Sequence, residues 1–247
     1  MIKVRFPIPD RLIVLTFDDG VKSCATFVAP LLKHYRFGAT FYITEGLNFL
    51  KDKDRYMTWG EIRELDEAGF EIGNHTRHHK NVSTQLREEL IADLGHIDHR
   101  CQENGILLPQ TFCYPGYHNS PEAVTVLEER QYLFARRGVA PEYPYYDEGG
   151  RGPAYNPTHH HPLLIPTTGA SGPNWTFEDF IWAVEQAKDG NIAVLTFHGV
   201  PDLDHPWVHT EPVQFESYMN YLHNNDCTVI AMRDLARYVV PFTEIKE

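Results

Sequence analysis

The sequence contains few cysteines, no long apolar run and no low-complexity tract. Its four cysteines are far apart and form no Cys-x-x-Cys pair. A secreted domain held together by disulfides would be denser in cysteine, so we expect reduced thiols. No apolar run reaches the length of about 18 residues that could span a bilayer. The apolar stretch 12–17 is too short for a signal peptide and runs directly into two aspartates. These absences predict a cytoplasmic protein without a membrane span.

An excess of positive charge is also missing. The formal net charge is −12, from 22 lysines and arginines against 34 aspartates and glutamates. A phosphate backbone or an anionic membrane calls for a basic protein surface, so nucleic acid and membrane partners are disfavoured. The charge favours a neutral or cationic ligand, and it leaves the oligomeric state open.

Short apolar runs alternate with amphipathic stretches along the chain. Most of the runs are continuously apolar, as in parallel strands covered on both faces; they lie at 12–17, 38–43, 70–74, 110–114, 132–136, 163–168, 192–197 and 227–232. Helix signals separate them, at 58–69, 83–105, 120–130, 176–190, 215–225 and 233–239. The alternation predicts an α/β fold, either a β/α barrel or a doubly wound sheet. A loop rich in Pro, Gly and Tyr at 140–162 is expected to cover a functional site or to be mobile.

Polar residues collect immediately after the predicted strands. They are Asp18 and Asp19 after the first strand, His75, His78 and His79 after the third, residues 114–118 after the fourth, Arg136 and Arg137 at the end of the fifth, and His198 after the penultimate strand. In a parallel barrel all of these positions lie at one face, where active sites are found. The pattern therefore favours an enzyme.

The segment "HTRHH" at 75–79 is a candidate metal site. His75 and His79 share a face if the backbone turns helically, and His75 with His78 is the alternative pair. Two imidazoles and one aspartate, with positions left open for water, are typical of a catalytic divalent-metal site. Such a ligand set suits Zn²⁺ and equally Co²⁺, Ni²⁺ or Fe²⁺.

Other polar residues have a structural interpretation beside the functional one. The two aspartates could form a solvated turn that caps the next helix, and His198 could be a buried residue satisfied by backbone groups. The histidines at 159–161 fit a surface loop better than a second metal site. His205 and His209 stay ambiguous, although the loop after His198 could line the same cleft.

Taken together, "TFDDG" at 16–20 and "HTRHH" at 75–79 resemble the first two motifs of the polysaccharide deacetylases of the NodB-homology type, carbohydrate esterase family 4. The resemblance covers nearly the whole chain. It implies one domain over residues 1–247, folded as a distorted (β/α) barrel of about seven parallel strands with a bound divalent metal, commonly zinc.

The resemblance also implies roles for single residues. Asp18 would be the general base, Asp19 a metal ligand together with His75 and His79, and His198 the general acid. Thr76 would support the loop between the two histidines. Substrate contacts are expected from the remaining motif positions, Tyr114, Pro115, Gly116, Trp175 and Leu195, with the Tyr114 backbone N–H as a candidate donor to the oxyanion.

Two motifs depart from the family pattern. The family's third motif has an arginine that orients the catalytic aspartate, and here Cys113 stands in its place. The fourth motif has an aspartate that partners the acid histidine, and here Asn174 precedes Trp175. We expect Arg136 or Arg137 to supply the missing guanidinium from the next strand, and Asp202 to orient the His198 imidazole.

The resulting hypothesis is a metal-dependent deacetylase acting on an N- or O-acetylated carbohydrate. One alternative keeps the fold and the metal but hydrolyses another non-peptide C–N bond, in a small linear or cyclic amide. A second alternative, from a different class, is a catalytically silent carbohydrate-binding protein that uses the tyrosine-rich loop as an aromatic platform. The presence of a base, metal ligands and an acid together disfavours this second alternative.

Overall fold

The computed structural model describes residues 4–143 and 150–241. Eight strands in the described residues form one sheet, and every strand pair in it is parallel. The strands are β1 (Leu12–Phe17), β2 (Thr40–Ile43), β3 (Glu71–Asn74), β4 (Thr111–Cys113), β5 (Phe134–Arg136), β6 (Gly169–Ala170), β7 (Ala193–Phe197) and β8 (Thr228–Ile230).

Helices connect most of these strands. They are α1 (Ala29–Tyr35), α2 (Trp59–Glu67), α3 (Arg87–Glu103), α4 (Pro121–Glu129), α5 (Phe177–Glu185) and α6 (Pro212–Asn224). A π-helical turn at Cys24–Val28 precedes α1, and a 3₁₀ helix at Met232–Arg237 follows β8. No helix within the described ranges is long and apolar enough to cross a membrane.

β1 is the centre of the sheet. It pairs with β7 along most of its length, with β8 over its first half and with β2 at its end. Ile13, Leu15 and Phe17 pack in the largest hydrophobic cluster, whereas Leu12 and Val14 pack in a second one. Because alternate side chains of a strand point to opposite faces, burial on both faces requires the uninterrupted apolar run seen in the sequence.

The chain between β5 and β6 closes the sheet into a distorted barrel. On one side it bonds to β5, where Ile165 N–H donates to Ala135 O (2.9 Å) and Arg137 N–H donates to Ile165 O (2.8 Å). On the other side Thr168 N–H donates to Val194 O of β7 (2.8 Å). The predicted barrel of about seven parallel strands is thus confirmed.

The element boundaries differ from the prediction in a few places. The strand expected at 163–168 is reduced to an isolated bridge at Ile165, and the paired strand β6 lies just after it. α3 begins four residues later than Ser83, because the Asn81 side chain accepts the Ser83 N–H and holds a turn there. The segment at 233–239 forms the 3₁₀ helix. The loop predicted at 140–162 contains no strand or helix among its described residues, and 144–149 lie outside them.

Two glycines, one tightly packed and one with room for a Cβ, give a stability prediction and its control. A Cβ at Gly73 of β3 would overlap the Tyr42 ring, whereas a Cβ at Gly60 of α2 would meet only Thr58 Oγ1, at 3.7 Å. Gly73→Ala should therefore destabilise the fold by about 1–3 kcal/mol through overpacking. Gly60→Ala should stabilise it by about 0.5 kcal/mol, because alanine loses less backbone entropy in a helix. Thermal unfolding followed by circular dichroism checks both, and a Gly73→Ala variant as stable as the wild type would contradict the packing shown here.

Candidate active site

A cavity of about 460 Å³ opens at the carboxyl ends of the strands. Its polar wall contains residues that follow three different strands: Asp18 and Asp19 after β1, His75 and His79 after β3, and His198 after β7. The other lining residues are Leu47, Gly116, Tyr117, His118, Gly138, Val139, Ala140, His205, Trp207 and Val208. The fold thus brings together five predicted site residues that are up to 180 positions apart in sequence.

Asp19, His75 and His79 present their ligand atoms to one point. Asp19 Oδ1 lies 3.4 Å from His75 Nε2 and 3.2 Å from His79 Nε2. Ligand atoms about 2.0–2.2 Å from one tetrahedral ion are separated by about 3.3–3.6 Å, which is close to both distances. Asp19 Oδ1 is buried and has no hydrogen-bond partner among the described residues. The three side chains therefore fit a divalent cation.

The orientation of His75 follows from its second ring nitrogen. His75 Nδ1 lies 2.8 Å from the Cys113 carbonyl oxygen, which can only accept a hydrogen bond. Nδ1 must therefore carry the proton, and the Nε2 lone pair is left facing Asp19. This is the arrangement that metal-ligating histidines usually have.

The loop that carries the two histidines is held by its own polar groups. Asn74 Oδ1 accepts the Thr76 N–H (2.9 Å), and Thr76 Oγ1 accepts the His79 N–H (3.1 Å). Thr76 and His79 both have left-handed backbone angles, with φ of 62° and 54°. His78 lies outside the cavity, with Nδ1 2.7 Å from Asp93 Oδ1.

A second triplet, Asp18, His75 and Cys113, also has its ligand atoms close together. Arg136 Nη2, however, lies 2.6 Å from both carboxylate oxygens of Asp18 and 2.9 Å from Cys113 Sγ. A guanidinium so close to two of the three ligand atoms would repel a cation. The Asp19 triplet is thus the better metal site.

Arg136 reaches Asp18 because of the strand register. Cys113 of β4 is paired with Arg136 of β5, so the guanidinium starts one strand beyond Cys113 and passes beside its small thiol. Arg136 is completely buried. Burial alone would raise the pKa of Asp18, but Arg136 and the neighbouring His75 outweigh it and hold this pKa below its usual value.

Arg137, the other candidate, points elsewhere. Successive residues of a strand face opposite sides, and the Arg137 guanidinium bonds to the carbonyl oxygens of Leu164, Gly138 and Ala140 and to Glu142. None of these contacts involves Asp18. Of the two arginines expected to replace the missing guanidinium, the structure brings only Arg136 to the site.

His198 extends into the cavity, where its Nε2 lies 3.9 Å from an oxygen of Asp18 and 3.9 Å from one of Asp19. Its Nδ1 is buried and has no hydrogen-bond partner in the described part of the chain. Burial lowers the pKa of this imidazole, and the nearby carboxylates only partly oppose the effect. Asn174, which was expected to occupy the position of the family's aspartate, is exposed to solvent.

Asp202 does not make the expected contact with His198. Its Oδ1 accepts the backbone N–H groups of Asp204 (3.1 Å) and His205 (2.9 Å), and its Oδ2 lies 3.4 Å from His205 Nδ1. Because the chain turns back immediately after Gly199, the Asp202 carboxylate faces its own loop rather than the imidazole four residues earlier. In this structure Asp202 orients His205.

Of the five expected substrate contacts, only Gly116 lines the cavity. Tyr114 is buried with its hydroxyl donating to Leu163 O, and its N–H donates to Arg136 O (3.1 Å), so this N–H is not available to an oxyanion. Pro115 is buried at the start of a 3₁₀ turn. Trp175 and Leu195 pack in the hydrophobic core, because their side chains face the helices rather than the barrel mouth.

The sequence alone did not single out several cavity residues. Tyr117 and His118 lie within the 114–118 segment after the fourth predicted strand but had no role of their own, and Val139 and Ala140 lie just before and at the first position of the Pro-rich loop. His205 was noted without a role, and Trp207 lies two residues beyond it. Proximity to a strand end was the available signal for all of them, but it does not say which side chains face inward.

A model of the polysaccharide deacetylase family matches residues 7–135, which is about half of the chain and includes β1 to most of β5. The chain belongs to the polysaccharide deacetylase family. The motif resemblance seen in the sequence is thereby confirmed.

Two curated relatives of this polysaccharide deacetylase family member are bacterial. The peptidoglycan-N-acetylmuramic acid deacetylase of Bacillus subtilis is 26% identical over 135 residues, covering 54% of this chain and 41% of that protein. The peptidoglycan-N-acetylglucosamine deacetylase of Bacillus cereus is 33% identical over 89 residues, covering 36% of this chain and 38% of that protein. The chain thus matches about two fifths of the length of these relatives.

Solved structures agree on the fold. A family 4 acetyl xylan esterase from Clostridium thermocellum, determined in complex with a cobalt ion, superimposes with a TM-score of 0.62. The match covers 92% of this chain and 90% of that one at 20% sequence identity. At this identity the similarity establishes the shared architecture.

The geometry of the three ligand atoms predicts a difference between neighbouring histidines. We expect the wild-type chain to bind about one Zn²⁺ or Co²⁺ per molecule. His79→Ala should lose this binding, because it removes one of three ligands. His78→Ala is the matched control, because His78 is the preceding residue but contacts Asp93 outside the cavity, and this variant should retain the binding. Isothermal titration with each metal on the metal-stripped protein checks the prediction, and equal affinities of the two variants would contradict the assignment.

Proposed function

We propose that this protein is a metal-dependent hydrolase that removes acetyl groups from an N- or O-acetylated carbohydrate. The observation that carries the proposal is the placement of a candidate base (Asp18), a candidate metal triad (Asp19, His75 and His79) and a candidate acid (His198) around one cavity. A binding protein has no need of all three. The family membership and the names of the curated relatives support the same reaction class.

Asp19, His75 and His79 would hold the metal, with zinc as the first choice on ligand type. A divalent cation bound there would polarise the acetyl carbonyl and lower the pKa of an attacking water. The buried carboxylate of Asp19 is suited to this role, because burial opposes its ionisation but the His75 and His79 rings hold its pKa well below the usual value.

Asp18 would take the proton of the attacking water. Its carboxylate is fixed by Arg136, which spans both oxygens at 2.6 Å and contacts Thr167 Oγ1 (3.1 Å) with its other terminal nitrogen. Arg136 is therefore a positioning residue in this proposal: it holds the ionised base at one orientation and does not touch the substrate.

His198 would protonate the departing amine or hydroxyl. Its Nε2 faces the cavity on the same side as Asp18 and Asp19. Because burial lowers the pKa of this imidazole, its protonation depends on the negative charge of the two carboxylates. The Asp202 carboxylate is bonded to His205, so it contributes to the electrostatic field at His198 only from a distance.

A second candidate function is the hydrolysis of a small linear or cyclic amide by the same residues. The observation that favours it is the apolar side of the cavity, which is formed by Leu47, Val139, Ala140 and Val208. A compact substrate with an apolar part would be well buried in a space of about 460 Å³.

Acetate release distinguishes these functions. We expect the Zn²⁺- or Co²⁺-loaded protein to release acetate from at least one of chitooligosaccharides, acetylated xylan and peptidoglycan fragments, and to lose this activity with a chelator. Asp18→Asn should reduce kcat by at least about 10²-fold, because the base is removed while its shape is kept. Hydrolysis of small amides without acetate release from any glycan would favour the second candidate. A metal-loaded protein inert towards the entire panel would overturn both.

The Arg136 contact predicts an effect on turnover rather than on binding. Arg136→Lys keeps the positive charge but cannot hold both carboxylate oxygens and Thr167 at once. We expect kcat to fall about 10²-fold through misplacement of the base, with KM nearly unchanged.

Arg137→Lys serves as the matched control, since Arg137 is the next residue and contacts loop carbonyls instead of Asp18. Melting temperatures and metal affinities of both variants are measured alongside, so that a folding defect is recognised. An unchanged kcat in a folded Arg136→Lys variant would show that Asp18 does not need this partner.

A further inference from the structure

Trp207 is an exposed aromatic side chain at the wall of the cavity. It is 65% exposed, although it lines the same space as Asp18, Asp19 and His198. Neither the family motifs nor the proposed chemistry gives it a role. Large exposed apolar surface beside a cavity commonly marks a ligand contact, because its exposure in the free protein is costly.

The loop that carries Trp207 is fixed at several points. Asp202 accepts two backbone N–H groups and contacts the His205 ring, and Val208 N–H donates to His205 O (3.0 Å). The His205 ring meets the Trp207 indole edge-on, with ring centroids 5.4 Å apart.

The end of the loop is tied to the barrel. Thr210 Oγ1 bonds to Ser171 Oγ at 2.8 Å, directly after β6. Gly172 packs so closely that an added Cβ would lie 3.0 Å from the Trp207 carbonyl oxygen. The indole is thus displayed on a braced loop, which reduces the entropy lost when a ligand binds to it.

The size and position of the cavity indicate what the indole faces. An acetyl group fills only a small part of a space of about 460 Å³, so the remainder accommodates the group that carries it. The C–H face of a sugar ring is apolar and flat, and it packs well on an aromatic face, while the ring hydroxyls point sideways. His205 and His118 line the cavity as well and offer hydrogen-bonding nitrogens to such hydroxyls.

We propose that the Trp207 indole, braced by Asp202 and His205, is the platform on which the pyranose ring next to the scissile acetyl group stacks. The inference rests on the proposed deacetylase function and deepens it by assigning a specificity-determining residue. Trp207 holds the sugar ring, and the residues at the strand ends act on the acetyl group.

Tryptophan fluorescence tests the contact without turnover. Of the four tryptophans, Trp59 and Trp175 are buried and Trp182 is half-buried, so Trp207 is the one exposed to water. In an Asp18→Asn background, triacetylchitotriose, an acetylated xylotriose and a muropeptide disaccharide are titrated in turn, with acetamide as the probe that lacks a ring. We expect a saturable blue shift with at least one glycan and none with acetamide. The shift should disappear in Asp18→Asn/Trp207→Phe. No shift with any of the three glycans would overturn the proposal.

Activity measurements separate this inference from the proposed function. Trp207→Ala should raise KM for the glycan about tenfold and raise KM for a small acetyl ester, which lacks the sugar ring, much less. Trp207→Phe should recover part of the loss. Leu203→Ala is the matched control, since Leu203 is equally exposed on the same loop but does not line the cavity.

If both the wild type and Trp207→Ala release acetate from the glycan with the same KM, the stacking role of Trp207 is wrong and the proposed deacetylase function is supported. If the glycan binds in a Trp207-dependent manner but no glycan releases acetate, the stacking role of Trp207 is supported and the proposed deacetylase function is wrong.

Discussion

The buried pair of Arg136 and Asp18 is the interaction on which the rest of the site depends. A guanidinium with no exposed surface needs a compensating anion, since removing one partner of a buried pair costs about 3–5 kcal/mol. Asp18 supplies this anion and is in turn kept ionised by it. The pair joins β5 to the end of β1. A hydrogen bond from Arg136 to Thr167 connects the pair to the segment that closes the barrel. One ion pair thus fixes the candidate base and links three parts of the sheet.

The pair also accounts for the small side chain at Cys113. Cys113 and Arg136 are register partners on adjacent strands, and the thiol lies 2.9 Å from the guanidinium. A long side chain at position 113 would compete for the space beside Asp18. The backbone of the same residue has a separate role, because its carbonyl sets the tautomer of His75. Position 113 therefore supports the candidate base through a small side chain and the candidate metal site through its main chain.

The acid side of the cavity is organised differently. Among the described residues no carboxylate bonds to His198 Nδ1, and Asp202, which follows His198 in sequence, stabilises the His205–Trp207 loop instead. The Asp202 carboxylate thereby supports the wall of the cavity rather than the His198 imidazole. The result is a site whose candidate base is held by a buried ion pair, whose candidate acid lies in the electrostatic field of two aspartates, and whose outer wall presents an indole.

The sequence by itself determined the order of strands and helices and the convergence of polar residues, and its motif resemblance proposed Asp19, His75 and His79 as candidate metal ligands. Continuous apolar runs and residues placed just after them are local features, so they can be recognised without a structure. Tertiary structure alone decided which of two adjacent arginines reaches Asp18, because that depends on the β4–β5 register and on the face each side chain takes. It also decided that Asp202 bonds to His205, that Tyr114 N–H belongs to the sheet, and that Trp207 rather than Trp175 lines the cavity. Side-chain direction within loops is set by packing between distant segments, and no local pattern encodes it.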